Sequence, residues 1–306
     1  HKSPISIRNI SNDASDRAIE TMLNVCRKNR KVFQGYLKLK AKLCKINNMQ
    51  RYDIYAPYSS KEKKYDYRKS KKLVLEAYRN YSDEMYNLAK KLFDENHIHY
   101  KIQKGKVGGA YCMNVPPGSV PYVLLNYNNK SRDVFTMAHE IGHAIHDMLA
   151  PNHSILVSHA PLILAETASV FGEMLLFDNI IKKIKGKELK KSLLISKLDD
   201  IYATVMRQAY FTLFEIEAHN RITKGASLHD LEELYLNNLK EQFGSSLKVN
   251  DEFKYEWLSI PHIYSSPFYC YAYAFGNLLV LALYKKYKEE GKTFVPKYLR
   301  ILSYGG

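Results

Sequence analysis

The segment His139-Glu140-Ile141-Gly142-His143 constrains the fold of this chain more than any other. If the segment is helical, its two histidines lie on the same face, one turn apart. Two imidazoles at this spacing can hold one Zn²⁺ ion, and Glu140 between them can take a proton from a water molecule at the open position of the metal. The pattern is typical of a metal-dependent peptidase and requires a helix here.

The residues around this segment favour that helix. Ser131 and Asp133 supply a capping residue and an acidic residue at its predicted start, and Pro151 ends the pattern. One face carries apolar residues at helical spacing, namely Val134, Met137, Ile141, Ile145 and Met148. The other face carries Phe135, His139, His143 and His146. We therefore expect a helix with one side packed on the core and the other facing a site.

The third metal ligand is expected from a following helix, since a catalytic zinc has three protein ligands. Glu166 is the candidate because it lies in an apolar stretch, where a carboxylate needs a strong partner to offset its desolvation. Ser169 could orient a ligating histidine, and Glu173 is expected on the same face as an outer partner or salt-bridge residue. His146 and His159 are alternative ligands, although His146 is too close along the same helix and His159 lies in a predicted loop.

Further segments extend the pattern beyond the metal motif. They are residues 121–127, 133–146, 165–169 and the His/Tyr-rich 261–264 with 267–274, preceded by two weaker segments at 73–78 and 108–111. In this order they resemble oligoendopeptidase F, of the thimet oligopeptidase group of zinc peptidases. The resemblance implies a mainly α-helical, neurolysin-like catalytic region with a small β element before the zinc helix. It also implies a single zinc ion and cleavage of short peptides.

The resemblance also implies roles for individual residues. The implied zinc ligands are His139, His143 and Glu166, with Glu140 as the general base. His262 would stabilise the oxyanion of the tetrahedral intermediate together with Tyr271 or Tyr264. A phenolic hydroxyl can donate to negative charge that develops on the substrate oxygen. Because the run is so aromatic, its register is open: Tyr271 is the first choice, Tyr264 the second, and ordinary packing the alternative for either.

Residues 121–127 are typical of a short strand just before the zinc helix. Glycines at 108 and 109 would turn the chain into a partner strand. Such an edge can pair with an extended substrate through main-chain hydrogen bonds. The expected substrate contacts are Gly109, Ala110, Tyr111, Tyr122 and Leu124. A purely structural hairpin is the competing interpretation.

Composition sets the wider limits. With 306 residues, 46% of them apolar, the chain can bury a core as one or two domains. We expect an N-terminal helical region, 1–99, and a catalytic zinc-binding region, 100–306. No window is apolar for long enough to span a bilayer, and no leader is visible, so we expect no membrane association. Four widely spaced cysteines fit reduced thiols, which favours a cytoplasmic location.

The formal net charge of +15 raises the question of nucleic-acid binding. The lysines are scattered over helical faces without a recognition signature, so we expect no specific nucleic-acid partner. A milder expectation is a positive field that favours acidic peptides. Glu215, Glu217 and His219 do not all share one helix face and are expected to be solvated rather than to bind a second metal.

The sequence predicts a zinc-dependent endopeptidase acting on short peptides. Two alternatives stay open: a carboxypeptidase on the same scaffold, which needs a cationic group for the substrate's terminal carboxylate, and a non-catalytic peptide-binding protein that retains the metal. The chain opens on His1, and the resemblance implies a further N-terminal helical half that is largely absent from this sequence. A separate N-terminal half or a homo-oligomer is therefore an expected partner. Two histidines and one carboxylate favour zinc over Mn²⁺ or Co²⁺.

Overall fold

The computed structural model describes residues 2–59, 63–113, 115–150, 153–155, 158 and 160–305. The chain divides into two compact units. The first unit is made of residues 1–60 and 191–277, and the second of residues 61–190 and 278–306. Residues 99 and 100 both belong to the second unit. The boundaries of the two units therefore differ from the expected division into 1–99 and 100–306, which stays a prediction.

Helices make up most of the described chain, as predicted. Before the sheet they are α1 (Ser6–Ser11), α2 (Asp16–Lys28), α3 (Arg30–Cys44), α4 (Tyr67–Tyr81) and α5 (Asp83–Asp94). After the sheet they are α6 (Ser131–Leu149), α7 (Leu162–Ala165), α8 (Thr167–Lys183), α9 (Lys187–Ile201), α10 (Arg207–Ile222), α11 (Leu228–Phe243), α12 (Pro261–Ser265), α13 (Tyr271–Glu290) and α14 (Val295–Ser303). Short 3₁₀ segments lie at Arg51–Tyr55, Asp251–Ser259 and Gly291–Phe294, and a π turn at Tyr202–Met206.

A small three-stranded sheet in the second unit precedes α6. Its strands are β1 (Ile98–His99), β2 (Tyr111–Met113) and β3 (Tyr122–Leu124), in the order β1-β3-β2. β1 runs parallel to β3, and β2 runs antiparallel to it with Cys112 opposite Val123. The predicted strand and its hairpin partner are therefore confirmed, and β2 lies at the edge of the sheet.

The core of the first unit is rich in buried aromatic side chains. Those of α10 and α11 are Tyr210, Phe211, Phe214, Tyr235 and Phe243, and Trp257 joins them from the 3₁₀ segment that follows. Rings of this size bury large apolar areas and prefer tilted or edge-on contacts, as Phe214 and Tyr235 make here. This core supports α12 and the start of α13, because Ile260 and Cys270 belong to the same cluster.

In the second unit α6 packs closely on α8 because small residues line the crossing. A Cβ added at Gly142 would lie 2.5 Å from the Cα of Ser169 and 2.6 Å from the carbonyl oxygen of Ala168. A Cβ at Gly172 would meet the Tyr78 hydroxyl, which donates to the Ala138 carbonyl oxygen at 2.8 Å. Real Cβ atoms do not tolerate such distances, so these glycines permit the approach of the two helices that carry the candidate ligands.

Some helix boundaries are not evident from the sequence. α6 is capped by Asp133, whose carboxylate accepts from the backbone N–H groups of Asn128 and Lys130, and Ser131 is its first residue. A π turn lies between α9 and α10. α13 begins at Tyr271, which leaves a loop between it and α12. Within the described ranges, no helix combines the length and the apolar character needed to cross a bilayer.

Candidate metal centre

Three donor atoms converge between α6 and the start of α8. The Nε2 atoms of His139 and His143 are 3.2 Å apart, and the Oε2 atom of Glu166 lies 3.2 Å from the first and 3.5 Å from the second. Ligands about 2.0–2.1 Å from a tetrahedral zinc are separated from one another by roughly 3.3–3.4 Å. The triangle of donor atoms thus has the dimensions of one face of a zinc coordination tetrahedron, and the residues present fit this ion.

Local structure explains why these atoms meet. His139 and His143 are one turn apart on α6, and the Ala138 carbonyl just before them is held by Tyr78. Glu166 caps α8 at the point where α7 ends, so its side chain leaves the helix end. Ser169 donates to Glu166 Oε2 at 2.7 Å. The sequence suggested a histidine as the partner of Ser169, but the first turn of α8 directs the hydroxyl to the carboxylate three residues earlier.

Each histidine ring uses its second nitrogen in a hydrogen bond. His139 Nδ1 lies 2.7 Å from Glu173 Oε1, so an N–H at this position donates to the carboxylate. The ring of His143 donates to the backbone carbonyl of Ala165. Such outer partners fix the tautomer and leave both Nε2 atoms to face the same point. Glu173 therefore lies where the sequence suggested an outer partner.

The charges of this cluster suit a cation. Burial alone would lower the pKa of His139, but hydrogen bonds to Glu166 and Glu173 outweigh burial and raise it. Burial alone would raise the pKa of Glu166, but its hydrogen bond to His139 holds it below the usual range. Burial lowers the pKa of His143 to about 4, so this ring is neutral near pH 7. Two carboxylates thus hold a positive charge here, and a divalent ion would satisfy them better than a single proton.

Glu140 lies beside this cluster and is nearly buried, with 7% of its surface exposed. Burial raises its pKa to about 7, although the charge on His139 and a hydrogen bond from the backbone N–H of Cys112 both lower it. Cys112 is the middle residue of the edge strand β2. The carboxyl group is therefore tied to that strand and can exchange a proton near neutral pH.

The alternative ligands do not join the triangle. His146 is buried. Burial lowers its pKa to about 4, and the charge of His143 acts in the same direction. His159 lies outside the described residues. Across the described ranges, His139, His143 and Glu166 form the one group of three side chains able to hold a metal. Glu215 is buried rather than solvated, which corrects the expectation for that residue.

The predicted substrate contacts belong to the second unit, around β2 and β3. Tyr111 and Tyr122 are exposed, Leu124 is half-buried, and Gly109 has a φ of +79° that favours glycine. Ala110, also half-buried, follows directly. Asn126 donates to the carbonyl oxygens of Val107 and Gly109, and this fixes the turn into β2.

The predicted oxyanion residues belong to the first unit. Tyr264 on α12 is 56% exposed, whereas Tyr271 is fully buried and its hydroxyl accepts from Asn12 Nδ2 at 2.8 Å. His262 Nε2 lies 3.3 Å from the Tyr273 hydroxyl, and its ring stacks on Tyr269 at 5.4 Å between centroids.

Reasoning from sequence missed Tyr269 and Tyr273 as neighbours of His262. The aromatic run was the one signal for them in the sequence. Tyr269 lies in the loop before α13, so helical spacing does not indicate which way its side chain faces.

Comparison with known proteins agrees with the mainly helical fold. The chain is 31% identical over 307 residues to an oligoendopeptidase F homologue of Borreliella burgdorferi, covering 98% of this chain and 52% of that protein. A Chlamydophila abortus crystal structure, described as that of a candidate peptidase, matches with a TM-score of 0.90 at 30% identity, covering 100% of this chain and 52% of the other. Oligoendopeptidase F from Enterococcus faecium shares the fold, with a TM-score of 0.73 at 22% identity, covering 100% and 48%.

The chain spans about half the length of the curated relatives it matches. The sequence model of peptidase family M3 matches residues 2–306. This match and the identity to oligoendopeptidase F homologues extend over nearly the whole chain, well beyond the metal motif. The chain therefore belongs to peptidase family M3.

Proposed function

We propose that this chain supplies the metal-binding part of a zinc-dependent endopeptidase that hydrolyses short peptides. The observation that carries the proposal is the convergence of His139, His143 and Glu166, with the buried carboxyl of Glu140 beside them. Two imidazoles and one carboxylate without a thiolate favour a catalytic zinc. The relatives are named oligoendopeptidases, which supports short peptides as substrates.

A zinc ion held by these three side chains would polarise the scissile carbonyl and acidify a water molecule. Glu140 takes the proton from that water and passes it to the nitrogen of the leaving amine. A carboxyl group with a pKa of about 7 suits both steps, because it accepts and returns a proton near neutral pH. The N–H of Cys112 keeps the Glu140 carboxyl oriented while it does so.

The edge strand β2 offers main-chain groups to an extended peptide. Tyr111 and Met113 are exposed on it, and β2 pairs on one side with β3. Pairing through backbone hydrogen bonds tolerates many side chains, which suits an enzyme that accepts varied peptides. Gly109, Ala110, Tyr111, Tyr122 and Leu124 are proposed as the substrate contacts on this basis.

His262 and a neighbouring tyrosine are proposed to donate to the oxyanion of the tetrahedral intermediate. This part of the proposal is supported by the family resemblance. Tyr264 offers an exposed hydroxyl, and Tyr273 lies within hydrogen-bonding distance of His262. Tyr271 is less suited to the role because its hydroxyl is buried against Asn12.

Location and assembly are also proposals. We propose that the enzyme works in the cytoplasm, where thiols stay reduced. We further propose that a separate N-terminal half or a second copy of the chain completes it, since the relatives are about twice as long. Light scattering on the purified chain, with and without such a half, tests the assembly.

The test of the reaction uses a quenched fluorescent peptide with the wild-type chain, Glu140→Gln and a control, Glu84→Gln, at an exposed position on α5. We expect chelator-sensitive hydrolysis by the wild type and the control. Glu140→Gln should retain zinc while losing at least about a hundred-fold in kcat. Equal turnover by all three proteins would contradict the role of Glu140. Mass spectrometry of the products separates internal cleavage from removal of C-terminal residues, which would favour the carboxypeptidase.

A further inference from the structure

The loop of residues 266–270 joins α12 to α13 in the first unit and contains a strained residue. Phe268 has a φ of +57°, in the left-handed region that side chains other than glycine rarely adopt, and only 4% of its surface is exposed. Asn or Gly is common at such positions, whereas a bulky aromatic residue is an outlier. The surrounding contacts must hold this conformation in place.

Glu215 on α10 makes the contact that holds it. Glu215 Oε1 accepts from the backbone N–H of Phe268 at 2.6 Å, and only 1% of the glutamate is exposed. Glu215 Oε2 is buried and has no hydrogen-bond partner among the described residues. Burying a carboxyl group with one oxygen unsatisfied is unfavourable, so this position does not serve stability alone.

Two further contacts hold the same stretch from the N-terminal end of the chain. Arg8 Nε donates to the carbonyl oxygen of Pro267 at 3.0 Å, and Asn12 Nδ2 donates to the hydroxyl of Tyr271 at 2.8 Å. The loop is therefore fixed on both sides of Phe268. Burial raises the pKa of Glu215 to about 7, while the Phe268 N–H and the charge of Arg8 lower it.

The loop is coupled directly to the segment that carries His262. The backbone N–H of Ser266 donates to the carbonyl oxygen of His262 at 3.0 Å, and that of Tyr269 donates to the Ser266 carbonyl at 3.0 Å. The ring of Tyr269, the residue after Phe268, stacks on His262. A shift of Phe268 would therefore move both the backbone and the ring that position His262.

We propose that Glu215 is a positioning residue that fixes the 266–270 loop and thereby holds His262 and Tyr269 in one arrangement. The inference rests on the proposed function in so far as His262 takes part in peptide hydrolysis. A buried unsatisfied carboxyl and a left-handed phenylalanine occur together at one loop. Strained backbone conformations and unsatisfied buried groups of this kind cluster where a structure must hold a functional group in place.

The test compares Glu215→Leu, Glu215→Gln and the control Glu217→Gln. Glutamine keeps an acceptor for the Phe268 N–H, whereas leucine removes it. Glu217 lies on the same helix, but 47% of its side-chain surface is exposed and it pairs with Arg221. The first readout is fluorescence of Trp257, the single tryptophan of the chain, whose ring lies 6.4 Å from that of Tyr264 on α12. This readout does not depend on metal or on turnover.

We expect Glu215→Leu to shift the Trp257 emission and to lower kcat by about ten-fold or more, with KM and zinc content nearly unchanged. Glu215→Gln should recover the emission and stay within about three-fold of the wild-type kcat. The control should match the wild type in both. A folded Glu215→Leu protein with wild-type emission and kcat would overturn the proposal, as would an equal loss in the control.

Should Glu215→Leu not fold, Arg8→Ala takes its place, because it removes the donor to Pro267 without emptying the core. A smaller shift of the Trp257 emission in the same direction is the expected result, and no shift would overturn the proposal. If the wild type shows no chelator-sensitive hydrolysis either alone or with the added N-terminal half, the proposed function fails. The fluorescence series still decides whether Glu215 positions the loop.

Discussion

The metal centre and the His/Tyr segment are built in contrasting ways. His139 and His143 lie on one regular helix, and α8 packs against that helix through Gly142 and Gly172. His262 lies on a five-residue helix followed by a loop with a left-handed phenylalanine. In the first region helical period places the groups, whereas in the second individual side chains such as Glu215 hold an irregular backbone. Substitutions should accordingly affect metal binding in one region and loop geometry in the other.

The largest effect is expected from Glu166→Ala, which removes one corner of the donor triangle. The loss in zinc affinity should exceed the roughly 10–100-fold typical of an outer partner. Competition with a fluorescent zinc chelator measures it. Unchanged zinc affinity would mean that Glu166 is not a ligand. The contrast between the two regions would then not hold for the metal centre.

A smaller loss is expected from Glu173→Gln, since the amide is a weaker acceptor for the His139 Nδ1–H. Zinc affinity or kcat should fall by about 10–100-fold while the fold is retained. Glu84→Gln is the matched control on an exposed helix face. If both variants behave alike, Glu173 does not orient the ligand.

Gly142→Ala tests the helix crossing that brings the ligands together. The added methyl group would meet the backbone of α8, and we expect a loss of about 1–3 kcal/mol in the free energy of unfolding. Gly35→Ala on α3 is the control because its Cβ would meet nothing within 4 Å. There the substitution should be neutral or stabilise by about 0.5–1 kcal/mol. Denaturant unfolding of both variants gives the comparison.

The buried Glu215 should make stability depend on pH. Its pKa in the folded chain is about 7, above the ordinary value of 4.5, so the folded chain binds the proton more tightly. Its contribution is fully present below about pH 4.5 and is lost as the pH rises through about 7, by about 1–2 kcal/mol after screening. Urea unfolding at pH 5 and pH 8 should show a smaller difference in Glu215→Gln than in the wild type. Equal pH dependence in the two proteins would contradict the raised pKa.

The smallest effect is expected from Tyr271→Phe, which removes the hydroxyl that accepts from Asn12. Stability should fall by about 1 kcal/mol, with kcat changed less than in Tyr273→Phe. Thermal unfolding and peptide hydrolysis measure the two quantities. A larger loss of kcat in Tyr271→Phe than in Tyr273→Phe would instead support Tyr271 as the oxyanion donor.

Sequence reasoning predicted the regular parts of this molecule better than the irregular ones. The period of α6 identified its buried face, and a carboxylate in an apolar stretch pointed to Glu166. The same reasoning expected Glu215 to be solvated, because Glu215, Glu217 and His219 do not all share one helix face. Burial of Glu215 depends on Phe268, which is distant in sequence, and no local pattern announces that contact.

Two details of the metal centre were also beyond local patterns. The hydroxyl of Ser169 contacts Glu166 because the first turn of α8 directs it back along the chain. The hydrogen bond from the Cys112 N–H to Glu140 requires the edge strand to lie against α6. Helical spacing fixes neither contact, since both depend on how a helix end or a strand packs on another element.

Zinc K-edge X-ray absorption on the metal-loaded chain tests the central claim most directly. We predict one zinc per chain, with two imidazole nitrogens and carboxylate oxygen at about 2.0–2.2 Å and no sulfur neighbour. The imidazole scattering should be lost in a His139→Ala, His143→Ala double variant. A sulfur shell at about 2.3 Å, or a wild-type spectrum in that variant, would contradict the donor set of His139, His143 and Glu166.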